Sequence, residues 1–494
     1  MHELLTEAVA DSAQSRAVSD DTGTWTYAEL DAHAHAFADW LAEQGLVPGD
    51  RLVVQLPTTR ELVAMFYGAS RSGVVFVPLN PGMKTFHLAP VLENSEPALV
   101  IVTADAEETV RDLTPALVRE YGAAWTEVEK HAEIDARPPA AEISADDPAV
   151  LVYTSGSTAA PKAVICPHAQ ITFVSEALEG VIGYRPDDVV FCRFPISWDY
   201  GLYKVLLSTI GRSEIVLADG ASDLVLLRRI RESGATIVPI VPSLAAMILR
   251  LAEREENPAP TVRMFSNTGA ALPQTTIDAL RAKFPGSRVV RQYGQTESKR
   301  ITVMPPEQEK ERPDSVGRAV PGTQVLILDA DGAPLPAGET GEIVAVGPHV
   351  MPGYWRNPEL SAKTFRPGPD DGALRLHTGD YGWLDEDGYL YFDGRRDDMF
   401  KRKGVRMSTT EIESAAADIH GVRAAVVLPP TDERDLVLFV EADRAKHEIL
   451  RELTFRLEAQ KVPSVCHVLD AIPLTPNGKN DKKELARLLE ETSK

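Results

Sequence analysis

The chain has 494 residues, of which 44% are hydrophobic and 25% are charged, and 51 basic against 73 acidic residues give a formal net charge of −22. This length exceeds what one hydrophobic core usually supports, so two or more domains are predicted. The acidic balance argues against binding of nucleic acid or of an anionic membrane through bulk charge.

Targeting and cysteine patterns point to a reducing compartment. The first residues have no basic start followed by an apolar stretch, and no run of 18 apolar residues occurs, so neither a signal peptide nor a transmembrane helix is predicted. Cys166, Cys192 and Cys466 are far apart and lack CxxC spacing, which argues against a disulfide framework or a cysteine zinc site. We therefore predict a cytoplasmic protein whose cysteines pack rather than react.

Helical and strand patterns alternate over the first 145 residues. The segment 26–46 has apolar residues at three- and four-residue spacing behind a capping threonine, and a second helix is predicted at 62–73. RLVVQLP, VVFVPLNP and ALVIVTA are predicted strands, and the rhythm returns in EIVLADG, ATIVPIVPS and VRMFSNTG. Short apolar strands separated by helices predict parallel sheets with helices on their faces.

The pattern changes after residue 315. Short strands and hairpin turns such as DADG and DEDG crowd the segment that follows. A final region of about 95 residues is predicted as a separate α+β domain, with helices in TTEIESAAADIH and KKELARLLEETS and strands in VRAAVVLPP and DLVLFVEA. Residues 137–149 are predicted to be a linker.

The most informative stretch is LVYTSGSTAAPKAV, residues 151–164. An apolar strand leads into small hydroxyl residues and a glycine, which can bend around phosphate oxygens and donate hydrogen bonds to them, and a lysine adds positive charge. These residues are Thr154, Ser155, Gly156, Ser157, Thr158 and Lys162. It is not a Walker loop, because GxxxxGK[ST] is absent. Alone, the stretch is equally compatible with a serine-rich surface turn.

This stretch resembles the phosphate-binding loop of the adenylate-forming superfamily, which includes acyl-CoA synthetases, firefly-type luciferases and nonribosomal peptide synthetase adenylation domains. The family pattern is close to [YT]-T-S-G-[ST]-T-G-x-P-K-G-V, and this chain departs from it at Ala159 and Ala163, where glycine is usual. Alanine adopts positive φ only at a cost, so slower pyrophosphate handling is expected. The resemblance implies ATP and Mg²⁺ as cofactors.

A second motif, RQYGQTES at 291–298, resembles the family's YGxTE motif. The resemblance implies that Tyr293 stacks on adenine, Thr296 bonds the α-phosphate and Glu297 holds Mg²⁺. Attack of a carboxylate on phosphorus needs such neutralisation of charge. Arg291 stands where the family often has Asn or Asp contacting the adenine amino group. Gly269 is also assigned to the ATP site by the resemblance.

The segment 376–413 resembles a longer family stretch. It implies that Asp380 accepts hydrogen bonds from both ribose hydroxyls, which suits a carboxylate, and that Arg395 contacts ribose or phosphate. Asp397 falls at the family's interdomain hinge. Lys401 and Gly404 fall in its K-x-x-G turn, which approaches the thiol substrate. Without the resemblance, KRKGVR would be a solvated basic turn.

The last motif, PLTPNGKNDKKEL at 473–485, resembles the family's C-terminal catalytic lysine motif. Lys479 would bridge the α-phosphate and the attacking carboxylate, then withdraw as the small domain rotates for the thiol transfer. The resemblance implies an α/β fold class. A large N-terminal domain, 1–394, would hold stacked α/β sheets and a distorted β-barrel, with a hinge near 395–398 and a small mobile C-terminal α+β domain, 398–494.

The acyl pocket is expected around FPISWDYGLYKVL, residues 194–206. Asp199 falls where amino-acid-activating members carry an aspartate that pairs with the substrate ammonium, and a buried carboxylate without a cation would be costly. The alternative is a capped or surface aspartate. Other pocket positions carried over from the family are Tyr200, Tyr203, Pro239, Ser266, Thr268, Gln292, Arg300 and Ile301. This polar set suits a small or polar acid, and Arg300 would meet a second carboxylate or another acceptor on the substrate, or point to solvent.

Three functions remain open on the sequence. The leading one is ATP-dependent adenylation of an amino acid, followed by transfer to the phosphopantetheine of a separate carrier protein, by a free-standing ligase, because no carrier motif follows KKEL. The second is an acyl- or aryl-CoA synthetase that uses coenzyme A. The third is a weakly catalytic binding or regulatory relative, against which the retained motif residues argue.

Overall fold

The computed structural model describes residues 1–132, 141–154, 162–218, 223–253, 258–269, 271–369, 372–395, 399–402, 405–431, 434–457, 461–475 and 479–492. The helices are α1 (Glu3–Ser12), α2 (Tyr27–Glu43), α3 (Arg60–Ser72), α4 (Thr85–Ser95), α5 (Glu107–Arg111), α6 (Tyr121–Ala132), α7 (His168–Ile182), α8 (Asp199–Ile210), α9 (Leu226–Glu232), α10 (Pro242–Ala252), α11 (Gln274–Lys283), α12 (Pro358–Thr364), α13 (Thr409–Ala417), α14 (Lys446–Leu453) and α15 (Lys482–Thr492). A short 3₁₀ helix spans Asp223–Val225.

The strands of the N-terminal half are β1 (Arg16–Asp20), β2 (Gly23–Thr26), β3 (Arg51–Gln55), β4 (Val75–Pro78), β5 (Leu99–Val102), β6 (Leu117–Glu120), β7 (Pro148–Thr154), β8 (Lys162–Pro167), β9 (Val189–Cys192), β10 (Glu214–Leu217) and β11 (Ile237–Ile240). Those that follow are β12 (Met264–Asn267), β13 (Arg288–Tyr293), β14 (Thr302–Val303), β15 (Arg318–Ala319), β16 (Gln324–Leu328), β17 (Gly341–Val346), β18 (Phe365–Pro367), β19 (Leu374–Leu384), β20 (Leu390–Arg395), β21 (Met399–Arg402), β22 (Val405–Ser408), β23 (Val422–Leu428), β24 (Val437–Ala442) and β25 (Val465–Leu469).

Two large sheets dominate the fold. One has the order β15-β14-β13-β12-β11-β9-β10-β1-β2, and the other has the order β6-β5-β3-β4-β7-β8. Their central strands are parallel, and antiparallel pairs occur at β1–β2, β7–β8, β13–β14 and β14–β15. One hydrophobic core contains residues of both sheets and of α1, α2, α3, α7 and α8. The α/β class with helices on the sheet faces is confirmed.

Strands β16 to β20 form a five-stranded antiparallel sheet in the region where the barrel was expected. Near the C-terminus, β23, β24 and β25 form a three-stranded sheet with core clusters of its own. Helix α14 and strand β25 in this region were not predicted. The predicted linker ends before residue 148, because Pro148 begins β7. No helix in the described ranges combines the length and apolar character needed to cross a bilayer.

Local signals explain several element boundaries. Thr26 caps α2, where its hydroxyl accepts from the Glu29 N–H while the Glu29 carboxylate accepts from the Thr26 N–H. Such a capping box satisfies two backbone donors that the first helical turn leaves free. The three cysteines are buried and unpaired with one another, as predicted.

Candidate active site

The candidate site begins at the carboxyl ends of three parallel strands. Strands β11 and β12 place Pro239 beside Ser266, and β12 and β13 place Asn267 beside Arg291. In open α/β sheets, ligands bind outside the carboxyl ends of the strands. The predicted residues Thr268 and Gly269 follow β12 directly, and Gly269 has a φ of 84°, which glycine adopts without strain.

A partly buried ion pair lies next to the predicted phosphate loop. Lys162 Nζ lies 2.6 Å from Glu297 Oε1, and the same carboxylate oxygen accepts a 2.7 Å hydrogen bond from the Tyr354 hydroxyl. Glu297 is 6% exposed. Desolvation would raise the pKa of this carboxyl, but the Lys162 ammonium and the Tyr354 hydroxyl hold it below its ordinary value. Glu297 is therefore an ionised carboxylate in the interior.

Strand β8 helps to bring Lys162, Glu297 and Tyr354 together. Its first residue, Lys162, pairs with Thr154 of β7, so the two residues flank the predicted phosphate loop. Farther along β8, Val164 forms an isolated bridge with Tyr354, and the Lys162 ammonium lies 4.5 Å from the centroid of the Tyr354 ring. Tyr354 was not predicted, because its contacts with β8 and Glu297 join segments almost 200 and 60 residues apart in sequence.

Asp380 forms a second polar centre. Its Oδ2 accepts from the Tyr293 hydroxyl at 2.7 Å and from Gln295 Nε2 at 2.8 Å, and Gln295 also donates to the Thr378 carbonyl oxygen at 2.8 Å. The ring of Tyr293 packs against Phe392, with ring centroids 5.4 Å apart. The structure thus joins the YGxTE motif to the predicted ribose-binding carboxylate. Gln295 was missed because that motif leaves its position unspecified.

The loop after β13 folds back tightly. A Cβ at Gly294 would lie 2.5 Å from the Lys299 carbonyl oxygen and 2.7 Å from the Arg300 Cα, so glycine is required there. Lys299 has a φ of 64°, a left-handed conformation that costs a non-glycine residue energy. The turn leaves Thr296 half-buried and directs Lys299 and Arg300 into the interior, where they are 1% and 5% exposed.

Opposite charges meet in the predicted acyl pocket. Asp199 begins α8, where the helix dipole favours an anion, and its Oδ2 lies 3.9 Å from Arg300 Nη1. Arg300 Nε donates to Gln292 Oε1 at 2.9 Å. A Cβ at Gly201 would lie 2.2 Å from the Pro195 carbonyl oxygen, so this first helical turn presses against the preceding backbone. Asp199 is thus partly buried beside Arg300 rather than on an open surface.

The Tyr203 hydroxyl in this region is buried without a hydrogen-bond partner among the described residues. The buried Lys299 ammonium lies 5.6 Å from the Tyr203 ring centroid. Burial raises the pKa of the Cys166 thiol, and Lys299 acts in the opposite direction. Buried polar groups usually have partners, so unsatisfied ones near a pocket favour a polar ligand. Lys299 was not predicted to belong to the site.

The remaining predicted pocket residues also lie inside. Tyr200 donates to the Ser266 carbonyl oxygen, and Ile301 is fully buried and donates its N–H to the Tyr293 carbonyl oxygen at 2.8 Å. Arg291 instead turns away from the pocket and donates to the carbonyl oxygens of Glu309 and Arg312. Desolvation lowers its pKa to about 10. It therefore has a structural role on β13.

Several predicted positions lie outside the described residues, namely Ser155, Gly156, Ser157, Thr158, Asp397 and Gly404. Arg395 ends β20 and Lys401 lies on β21, but their side chains are not among the described parts of the structure. Lys479 is exposed, and its N–H donates to the Thr475 hydroxyl at 3.2 Å. Its catalytic role stays a prediction.

The donors fit a magnesium ion that arrives with a nucleotide. Mg²⁺ prefers oxygen ligands and is usually held by one or two carboxylates together with substrate phosphates. The described part of the chain contains no cluster of three or more metal-binding side chains. Glu297 would hold the ion jointly with the phosphates, and its role as the metal ligand stays a prediction.

Solved structures of other proteins are similar to this chain. VinN is 54% identical, with a TM-score of 0.75, over 80% of this chain and 98% of its own, and one of its structures is a complex with L-aspartate. ATP-bound MatB from Rhodopseudomonas palustris is 26% identical, with a TM-score of 0.89, over 100% of both chains.

Sequence relatives include much longer proteins. Delta-poly-L-ornithine synthetase of Acinetobacter baumannii is 28% identical over 98% of this chain, which spans only 36% of that protein. The model of the AMP-binding enzyme family matches residues 5–355. This match covers well over half of the sequence, and it includes the Lys162–Glu297 pair and the acyl pocket. The chain therefore belongs to the AMP-binding enzyme family.

Proposed function

We propose that this protein uses ATP to adenylate a short amino acid that carries a second carboxylate, aspartate or a close derivative, and then passes the acyl group to a thiol. The observation that carries the proposal is the approach of Asp199 Oδ2 to Arg300 Nη1, which lie 3.9 Å apart. An aspartate-like substrate has an ammonium for the first residue and a carboxylate for the second, besides the carboxylate that reacts.

The charges in the pocket discriminate among acids. A fatty acid would place an alkyl chain against the Asp199–Arg300 pair and near the buried Lys299 ammonium, and it would offer none of these charged groups a partner. A diamino acid such as ornithine would bring a second ammonium towards two cations, Lys299 and Arg300. A dicarboxylic amino acid satisfies each group. The complex of VinN with L-aspartate supports this choice.

The nucleotide side is assigned as the family resemblance implies. Glu297 would hold Mg²⁺, which neutralises charge on the phosphates when bound. Lys162 would contact phosphate, Asp380 would accept from the ribose hydroxyls, and Tyr293, fixed by its bond to Asp380, would pack against adenine. Lys479 would bring the reacting carboxylate and the α-phosphate together.

The acceptor is proposed to be the phosphopantetheine thiol of a separate carrier protein, with the turn of Lys401 and Gly404 approaching it and residues near Asp397 serving as the hinge. Free coenzyme A carries the same thiol arm and is the alternative. To distinguish the two acceptors, coenzyme A is added to the preformed acyl-adenylate and the release of AMP is measured, with pantetheine as the matched smaller thiol. Rapid AMP release with coenzyme A but not with pantetheine would favour coenzyme A as the acceptor.

ATP–pyrophosphate exchange with Mg²⁺ tests the acid. The panel contains L-aspartate, 3-methylaspartate, β-alanine, L-alanine, succinate, L-ornithine, benzoate and octanoate. Exchange with aspartate or its methyl derivative, and far weaker exchange with the acids that lack either the ammonium or the second carboxylate, is the expected result. Strong exchange with benzoate or octanoate and none with the amino acids would refute the proposal and point to an acyl- or aryl-CoA synthetase.

A further inference from the structure

Lys204 is a fully buried lysine that none of the assigned roles uses. It lies one turn after Tyr200 on α8 and is 1% exposed. Its Nζ donates to the Ser266 hydroxyl oxygen at 3.0 Å and to the Tyr184 hydroxyl at 3.4 Å. No carboxylate lies within ion-pair distance of it among the described residues. A buried ammonium held only by hydroxyls destabilises the folded protein, so packing alone does not explain it.

A continuous hydrogen-bonded path runs from Lys204 to the charged end of the acyl pocket. The Ser266 hydroxyl oxygen accepts from Lys204 and, at 3.3 Å, from Gln292 Nε2. Gln292 Oε1 in turn accepts from Arg300 Nε at 2.9 Å, and Arg300 faces Asp199. Each member of the path is fixed by the one before it.

The geometry at Ser266 makes the path directional. Its hydroxyl oxygen has two lone pairs, and Lys204 and Gln292 occupy both. The serine proton is therefore available for the Tyr200 hydroxyl oxygen, 3.1 Å away, while Tyr200 donates to the Ser266 carbonyl oxygen. The ring of Tyr200 has the Lys204 ammonium 4.8 Å and the Arg300 guanidinium carbon 5.3 Å from its centroid.

We propose that Lys204 is a positioning residue which, through Ser266 and Gln292, fixes Arg300 for the second carboxylate of the substrate and thereby sets the preference for dicarboxylic amino acids. This inference rests on the proposed function. Loss of Lys204 would free a lone pair on Ser266, release the Gln292 amide to reorient and leave Arg300 without its fixed acceptor.

The titration of Lys204 supplies a signature that a packing role would not have. Burial lowers the pKa of its ammonium to about 7, and the Arg300 guanidinium acts in the same direction. The groups that face it are Tyr184, Cys192, Tyr200 and Arg300. A substrate carboxylate bound at Arg300 favours the protonated lysine. The KM for such a substrate should therefore rise as the pH passes above 7.

The test compares Lys204→Met, Ser266→Ala, their double variant and the exposed-lysine control Lys310→Met in ATP–pyrophosphate exchange from pH 6 to 9. We expect Lys204→Met to raise the KM for L-aspartate by about tenfold or more, the usual effect of losing a hydrogen bond to a charged group. The KM for ATP should stay within about twofold, and the rise of KM with pH should disappear. Ser266→Ala should act similarly, and the double variant should be no worse than the worse single variant.

The outcomes separate this inference from the proposed function. If wild type does not prefer L-aspartate to L-alanine and β-alanine, the proposed function fails. If wild type has that preference and Lys204→Met keeps it, with an unchanged pH profile, the role of Lys204 is refuted and the proposed function stands. A KM change that appears only together with a lower melting temperature would also refute the positioning role of Lys204. If Lys204→Met does not fold, the result with Ser266→Ala decides whether that role stands.

Discussion

The buried ammonium of Lys204 should make the stability of this protein depend on pH in a way that one substitution removes. The pKa of Lys204 is lowered from 10.5 to about 7 by burial. Between these values the unfolded chain binds the proton and the folded chain does not, so the contribution of this group to the free energy of unfolding rises with pH. Below pH 7 both states are protonated, and the full penalty for burying the charge applies.

The magnitude follows from the size of this shift. Each pKa unit corresponds to about 1.4 kcal/mol, so the shift implies a penalty of at most about 5 kcal/mol at pH 6, declining by about 1.4 kcal/mol per pH unit above 7. Methionine matches the length of the lysine stem and carries no charge. Lys204→Met should therefore be the more stable protein at pH 6.5, and its advantage over wild type should shrink towards pH 9.

Urea unfolding followed by tryptophan fluorescence, at half-unit steps from pH 6.5 to 9, measures this difference. Subtracting the variant from wild type removes the contributions of all other titrating groups, and Lys310→Met shows the effect of losing an exposed lysine. A difference between wild type and Lys204→Met that is constant over this range would refute the reasoning, because it would mean that Lys204 does not change protonation there.

Three further predictions concern the reaction itself. Asp199→Asn should lower kcat/KM for the amino acid by about 10³-fold or more, because the substrate ammonium then faces no negative charge. The exposed control Asp187→Asn should leave kcat/KM unchanged. Equal exchange in both variants would contradict the role of Asp199. Glu297→Gln should lower adenylation by about 10²–10³-fold, and a shift in Mg²⁺ dependence of ATP binding should accompany it; unaltered Mg²⁺ dependence would exclude the metal-ligand role. Lys479→Ala should lower adenylation by about 10²-fold or more at an unchanged melting temperature, and normal exchange would remove Lys479 from the catalytic set.

The sequence predicted the family, and it offered predictions for most of the polar residues of the candidate site. The phosphate-loop, YGxTE and TGD motifs are local in sequence, so roles for Lys162, Glu297 and Asp380 could be predicted from the order of residues alone. The match to the AMP-binding enzyme family model confirms the predicted family. The parallel strands of the two large sheets were predictable because each is a short apolar run between helices.

The partners of these residues could not be predicted in the same way. Tyr354 reaches Glu297, Gln295 reaches Asp380, and Lys204 reaches Ser266 only because separate strands and helices meet at one point. Lys204 in particular lies in an apolar stretch where one lysine suggests a solvated position. Helix α14 was missed because its polar residues outweigh its two buried ones, Ile449 and Leu453.

The tight start of α8 limits how the acid preference can be altered by protein engineering. Positions 199, 200 and 203 belong to the predicted acyl pocket and can be varied to change its charge and depth. Position 201 is closed to variation, because even a methyl group would collide with the carbonyl oxygens of Phe194 and Pro195. Any larger residue there would push the whole first turn outward and separate Asp199 from Arg300. Libraries aimed at new acids should therefore keep this glycine and redistribute diversity among its neighbours.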